Sequence, residues 1–158
     1  MQNAVSQPSD YTALAARIRE WGKAAGFQAV GISGIDLPDA EARLEAWLAQ
    51  GYHGTMDYMA KHGAKRARPA ELVPGTQRVI SLRMDYSPPD AADSWSVLGD
   101  GARAFISRYA LGRDYHKVLR RRLEHLARQI HAEAGGTYRV FTDSAPVLEV
   151  ELGARANI

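Results

Sequence analysis

Asp143 is the carboxylate in this sequence whose setting best suits acid chemistry. It stands in FTDSAPVLE, where a run that reads as a strand, Thr137 to Thr142, gives way to a turn and then a helix starting near Pro146. Ligands of α/β proteins bind at the carboxyl ends of strands. A carboxyl flanked by Phe141 and Val147 is expected to be partly desolvated. That favours its protonated form near neutrality, as a general acid requires. Helix capping is the competing reading, and on residue type alone it is the stronger, because Asp and Ser are preferred N-caps.

GRDYHK, residues 112 to 117, is the second candidate. Gly112 permits a sharp turn into a helix that Asp114 can cap. The first-turn amides then favour an anion, helped by Arg113 and Lys117. His116 lies within reach of such a ligand, and Tyr109 just upstream is a further candidate to line a cavity. A capped amphipathic helix with a solvated histidine explains the same residues without a ligand. His53, Asp57 and His62 are spaced for a metal only if their segment is helical, and Gly54 weakens that. Ser107 lacks an ordered histidine and carboxylate pair to activate it as a nucleophile. With no GxxxxGK loop, nucleotide hydrolysis has no support.

The elements that must position these residues follow from periodicity. Tyr11 to Ala25 carries a stripe at Tyr11, Leu14, Ala15, Ile18 and Trp21, with Ser9 or Asp10 as cap and Gly26 as stop. Phe27 to Ser33 reads as a buried strand. Pro38 to Gln50 reads as a helix burying Leu44, Trp47 and Leu48, stopped by Gly51. Short helical turns fall at Met56 to Lys61 and Ala70 to Val73. Arg78 to Tyr86 alternates as a strand ended by Pro88 and Pro89. Asp90 to Gly101 reads as a surface loop and Ala102 to Tyr109 as another strand. Asp114 to Ala134 is the longest helix, with Leu119, Leu123, Leu126 and Ile130 on one face and Gly135 and Gly136 closing it. The expected fold is α+β or α/β, a mixed sheet of about four strands flanked by helices.

Composition narrows the classes. At 158 residues the chain suits one domain, residues 11 to 158, behind a disordered lead-in of residues 1 to 10. It contains no cysteine, which excludes disulfides, thiolate zinc sites and any iron–sulfur cluster held by this chain alone. No apolar run is long enough to span a bilayer and the N-terminus lacks a secretory pattern, so a cytoplasmic protein with no membrane partner is expected. Charge is nearly balanced, but Lys61, Lys65, Arg66 and Arg68 form one basic cluster, and Arg113, Lys117, Arg120, Arg121 and Arg122 a second. Such clusters meet phosphates or simply form a solvated face.

The block YHGTMDYMAKHGAKRARPAELVPGTQRVISLRMDY, with SRYALGRDYHK and FTDSAPVLE, resembles the N-terminal domain of bacterial epoxyqueuosine reductase nearly end to end. The resemblance implies an oxidoreductase that reduces epoxyqueuosine at the tRNA wobble position to queuosine, the last step of queuosine synthesis. It implies cobalamin and two 4Fe-4S clusters as cofactors, with the corrinoid between this domain and a ferredoxin-like iron–sulfur domain. By the same resemblance Asp143 is the proton donor and also contacts the cofactor. Arg66 and Ser107 are cobalamin-binding, and Asp114 and His116, in a GRDYH or GKDYH signature, line the same cavity. Lys61, Lys65, Arg120 and Arg121 are candidate contacts to tRNA. An external electron donor and a monomeric protein complete the expectation.

The sequence departs from that pattern where the family continues into a glycine-rich AGLGW-like turn and two cysteine sets. Here it reads ELGARANI. The expectation is a fragment truncated before the iron–sulfur domain and inactive alone. Two other readings stand beside it, a non-catalytic cobalamin- or tRNA-binding module and a structural α/β interaction domain.

Overall fold

A computed structural model describes residues 11–87 and 90–158. The proposed cap at Ser9 or Asp10, the lead-in and the Pro88–Pro89 stop lie outside the described residues. Helix α1 (Tyr11–Ala24) leads through Gly26, at φ 89°, into strand β1 (Ala29–Ser33). Helix α2 (Pro38–Ala49) opens with the proline at its first turn, where a missing N–H costs nothing. Helix α3 (Tyr58–Lys61), a 3-10 turn (Gly63–Arg66) and helix α4 (Pro69–Leu72) follow. After strand β2 (Val79–Arg83) come α5 (Ser94–Leu98), a 3-10 turn (Arg108–Ala110), α6 (Tyr115–Ala134) and α7 (Glu149–Arg155).

The sheet has two strands, not about four. β1 and β2 run antiparallel in the register Ala29 to Arg83 through Ser33 to Val79. Residues 102–107 and 137–142 are irregular. Their apolar runs suit a strand, but a strand also needs a neighbour about 4.8 Å away to take its N–H and C=O groups. Phe105 and Ile106 are exposed, so the first run has no face to bury. The second run and β2 both line one wide cavity, and no ladder joins them.

Three other expectations change. Asp90 to Gly101 contains α5, because Asp93 caps it by accepting from the Ser96 N–H at 2.8 Å. The last helix starts at Glu149, three residues after Pro146. The buried positions of α1 are Ile18 and Gly22, whereas Tyr11 is exposed.

Close approach of the layers depends on two glycines. A Cβ at Gly22 would meet Val30 Cγ2 at 2.5 Å, and one at Gly31 would meet the Ala156 carbonyl oxygen at 2.2 Å. Bare backbone at those points lets α1 and the end of α7 lie directly on β1. Leu37, Ala40, Ala67 and Leu152 form a buried cluster against which Val79, Val147 and Leu148 pack. This cluster ties α7 to α2. The Leu148 N–H donates to the Arg66 carbonyl at 3.1 Å. The chain on either side of Asp143 is thus anchored, downstream by α7 and upstream by α6.

Candidate active site

Asp114 caps α6 as its position in the sequence suggests. Its Oδ1 accepts from the His116 N–H at 3.0 Å and faces His116 Nδ1 at the same distance. The hydrogen bond with His116 is the main reason the Asp114 pKa lies below the ordinary carboxylate range. The cap therefore does two things: it starts the helix and it holds the imidazole.

Asp143 is not a cap. α7 has Leu148 at its N-cap and no side chain bonded there. Asp143 instead adopts φ 55°, a left-handed conformation that Asp tolerates better than most side chains. This turn sends its carboxylate toward the start of α6. There the Tyr115 hydroxyl donates to Oδ2, and His116 Nε2 stands 3.6 Å from the same oxygen. The hydrogen bond to Asp143 leads the causes that push the Tyr115 phenol up to about 12. Tyr115 stacks on His116 with ring centroids 4.0 Å apart and meets Tyr109 edge-on at 6.0 Å. The expected desolvation of Asp143 by Phe141 and Val147 does not occur, since its side chain is 51% exposed.

Two concave regions flank residues 137–144. The larger, about 1100 Å³, has an apolar wall from Leu119, Leu123, Leu126 and Ile130 of α6, with Tyr109, Tyr115, Asp143 and Glu149 among its lining. The smaller, about 510 Å³, is lined by His116, Arg120, Glu124 and Arg139 among others. Asp143 and His116 therefore face different cavities while approaching each other between them.

Sequence reasoning does not single out Tyr115 or Glu149. Glu149 as a residue is exposed, yet partial burial of its carboxyl, followed by the charge of Asp143, raises its pKa. The signal that points to Tyr115 is its place in GRDYHK, one residue before the histidine. Glu149 has none, because its approach to Asp143 depends on the path of the intervening turn.

Other predicted site residues lie elsewhere. Arg66 is buried, and its guanidinium donates to the Met59 carbonyl at 3.1 Å and the Tyr58 carbonyl at 2.8 Å. Neither Arg66 nor Ser107 is among the lining of either cavity. Lys61 and Lys65 are exposed around the 3-10 turn, away from α6 in sequence. Arg68 spends its charge on Glu41 at 2.6 Å and Glu71 at 2.9 Å. Along α6 the split is clear. Arg122 turns inward to the Gly26 carbonyl at 3.4 Å, while Lys117, Arg120 and Arg121 are exposed and form no ion pair among the described residues.

The cobalamin that the resemblance implies can be tested against the larger cavity. A flat macrocycle fringed with amides needs a broad apolar wall and hydroxyl or carboxyl partners at its rim. The volume reaches the upper end of small-molecule sites, and the lining combines α6 leucines with Tyr109, Tyr115 and Asp143. The residues fit. Iron–sulfur clusters do not fit this chain, which has no cysteine to supply a thiolate.

Comparison with known proteins shows what the chain is similar to. It is 57% identical over 152 residues to the epoxyqueuosine reductase of Pseudomonas aeruginosa, covering 96% of this chain and 42% of that protein. With the Escherichia coli K12 epoxyqueuosine reductase it shares 50% over 155 residues, 98% of this chain and 41% of that one. The chain thus spans well under half the length of these relatives. A crystal structure of epoxyqueuosine reductase with a tRNA-Tyr epoxyqueuosine-modified stem loop has the same fold, with a TM-score of 0.75 over 93% of this chain and 39% of that one at 22% identity. No helix among the described residues is long and apolar enough to cross a membrane. A protein-family model described as epoxyqueuosine reductase QueG, DUF1730, matches residues 66–144, and the chain belongs to that family.

Proposed function

We propose that this chain provides the acid-bearing part of an epoxyqueuosine reductase acting on tRNA, and that Asp143 is its proton donor. The observation that carries this reading is the Asp143 carboxylate on the larger cavity, held through Oδ2 by Tyr115 and approached by His116. Converting an epoxide to an alkene removes its oxygen as water and consumes two electrons and two protons. An acid at the breaking carbon–oxygen bond stabilises the developing alkoxide, which is a contribution made only in the transition state.

Cobalamin, when bound, would supply a reduced metal centre able to deliver electrons to the epoxide carbon. Tyr109, Tyr115 and Asp143 are the residues that would hold it, against the apolar face of α6. Arg66 and Ser107, given as cofactor contacts by resemblance, line neither cavity, so the proposal rests on the first three. Lys117, Arg120 and Arg121 give α6 an outer basic face suited to a tRNA backbone.

The test is Asp143→Asn in a full-length reductase carrying this sequence, with cobalamin binding measured separately. Asparagine keeps the size and a hydrogen-bonding oxygen for Tyr115 but cannot release a proton. Turnover is expected to fall about a hundredfold or more with cofactor still bound. Near-normal reduction with cofactor bound overturns the assignment. The alternative is a non-catalytic cobalamin- or tRNA-binding module. It predicts that full-length protein binds cobalamin and tRNA without consuming epoxide.

A further inference from the structure

We infer that His116, oriented by Asp114, is the residue that returns a proton to Asp143 after it has donated one. This rests on the reading of Asp143 as the acid. The reaction proposed above takes up two protons per turnover, so a single carboxyl must be recharged before it can act again. Asp143 lies on the larger cavity and His116 on the smaller, and the two meet between them at 3.6 Å. A proton entering from water at His116 therefore has a route to Asp143 that does not pass through the substrate's side.

The ring is set for that step. Asp114 Oδ1 at 3.0 Å takes the Nδ1–H bond, which leaves Nε2 as the atom facing Asp143. The stack on Tyr115 at 4.0 Å fixes the plane of the imidazole. In the transfer, the Nε2–H bond of the protonated ring breaks and an O–H bond forms on the Asp143 carboxylate. The neutral ring then takes a proton from water at Nε2, and no electrons move. The 3.6 Å separation is longer than a direct hydrogen bond by about half an ångström and closes by a small rotation or through one water. Charged groups around the ring come from every side. Asp114 and Lys117 flank it on its own helix, Arg120, Glu124 and Arg139 share its cavity, and Glu149 of α7 stands behind Asp143.

His116→Ala in the full-length reductase carrying this sequence provides the test, because a half-exposed ring leaves a space that free imidazole can enter. Turnover is expected to fall about tenfold or more, and added imidazole should restore much of it in a concentration-dependent way. Asp143→Asn should show no such restoration. Asp114→Asn keeps a capping oxygen, so it should fold normally and lose turnover several-fold with little change in KM. Unchanged turnover in His116→Ala, or a loss that imidazole leaves untouched, overturns the inference while an inactive Asp143→Asn still upholds the acid. Full activity in Asp143→Asn overturns both.

Discussion

The Tyr115 hydroxyl donates to Oδ2 of Asp143 across 28 residues of chain, joining the first turn of α6 to the left-handed turn before α7. On the proposed function, Tyr115 thereby aims the acid. Tyr115→Phe removes the donor and keeps the ring that stacks on His116 and meets Tyr109 edge-on. Turnover is expected to fall by about tenfold, with KM nearly unchanged, because only the aim of the acid is lost. Steady-state kinetics on the full-length variant decide it, and an unchanged kcat would show that Asp143 needs no such support.

The same pair predicts an alkaline signature. The Tyr115 phenol is raised from 10.0 to about 12 when folded. Between those values the folded protein holds a proton that the unfolded chain has released. Stability from this group is therefore complete below the unfolded pKa and is lost as pH rises through the folded one. Melting curves from neutrality to strong alkali should show a steeper fall for the native sequence than for Tyr115→Phe.

Glu149 carries the opposite lesson for a carboxyl. Burial and the charge of Asp143 raise its pKa above 4.5, so the folded state binds more protons than the unfolded one in that window. Stability then falls as pH rises through the folded value. Glu149→Gln should melt higher than the native sequence at about pH 7 and no higher at about pH 4. Equal shifts at both pH values would locate the effect in packing instead of charge.

Arg66 distinguishes frame from ligand. Its guanidinium satisfies the Tyr58 and Met59 carbonyls and lies 6.0 Å from the Tyr58 ring centroid. Arg66→Ala leaves those carbonyls without their partner and should cost about 1–3 kcal/mol in denaturant unfolding. A variant of native stability that has lost cobalamin affinity would instead make Arg66 a cofactor ligand.

The outer face of α6 makes a salt prediction. If Lys117, Arg120 and Arg121 track phosphates, tRNA affinity should fall steeply with salt. Replacing Arg120 and Arg121 by alanine should reduce the slope of log K against log salt by about 0.9 for each phosphate no longer neutralised. A slope unchanged by both substitutions would make the face one of solubility alone.

Much of the frame is legible locally. Asp114 as the cap of α6, the stop at Gly135 and the proline opening α2 each depend on bonds or steric limits spanning a few residues. FTDSAPVLE and its family resemblance mark Asp143 as a candidate from the sequence alone. Strand formation at 102–107 and 137–142 is not decided locally, because a ladder requires a partner at the right distance and a cavity stands beside β2 instead. The role of Asp143 at its turn is likewise undetermined by residue type. Capping and hydrogen bonding to a distant tyrosine use the same oxygen atoms, and only the anchoring of α6 and α7 on either side chooses between them. Short-range chemistry sets the helices, most of their ends and the residues with chemical potential. Which of those residues meet is set by the packing of separate elements, because spacing along the chain carries no information about distances across the fold.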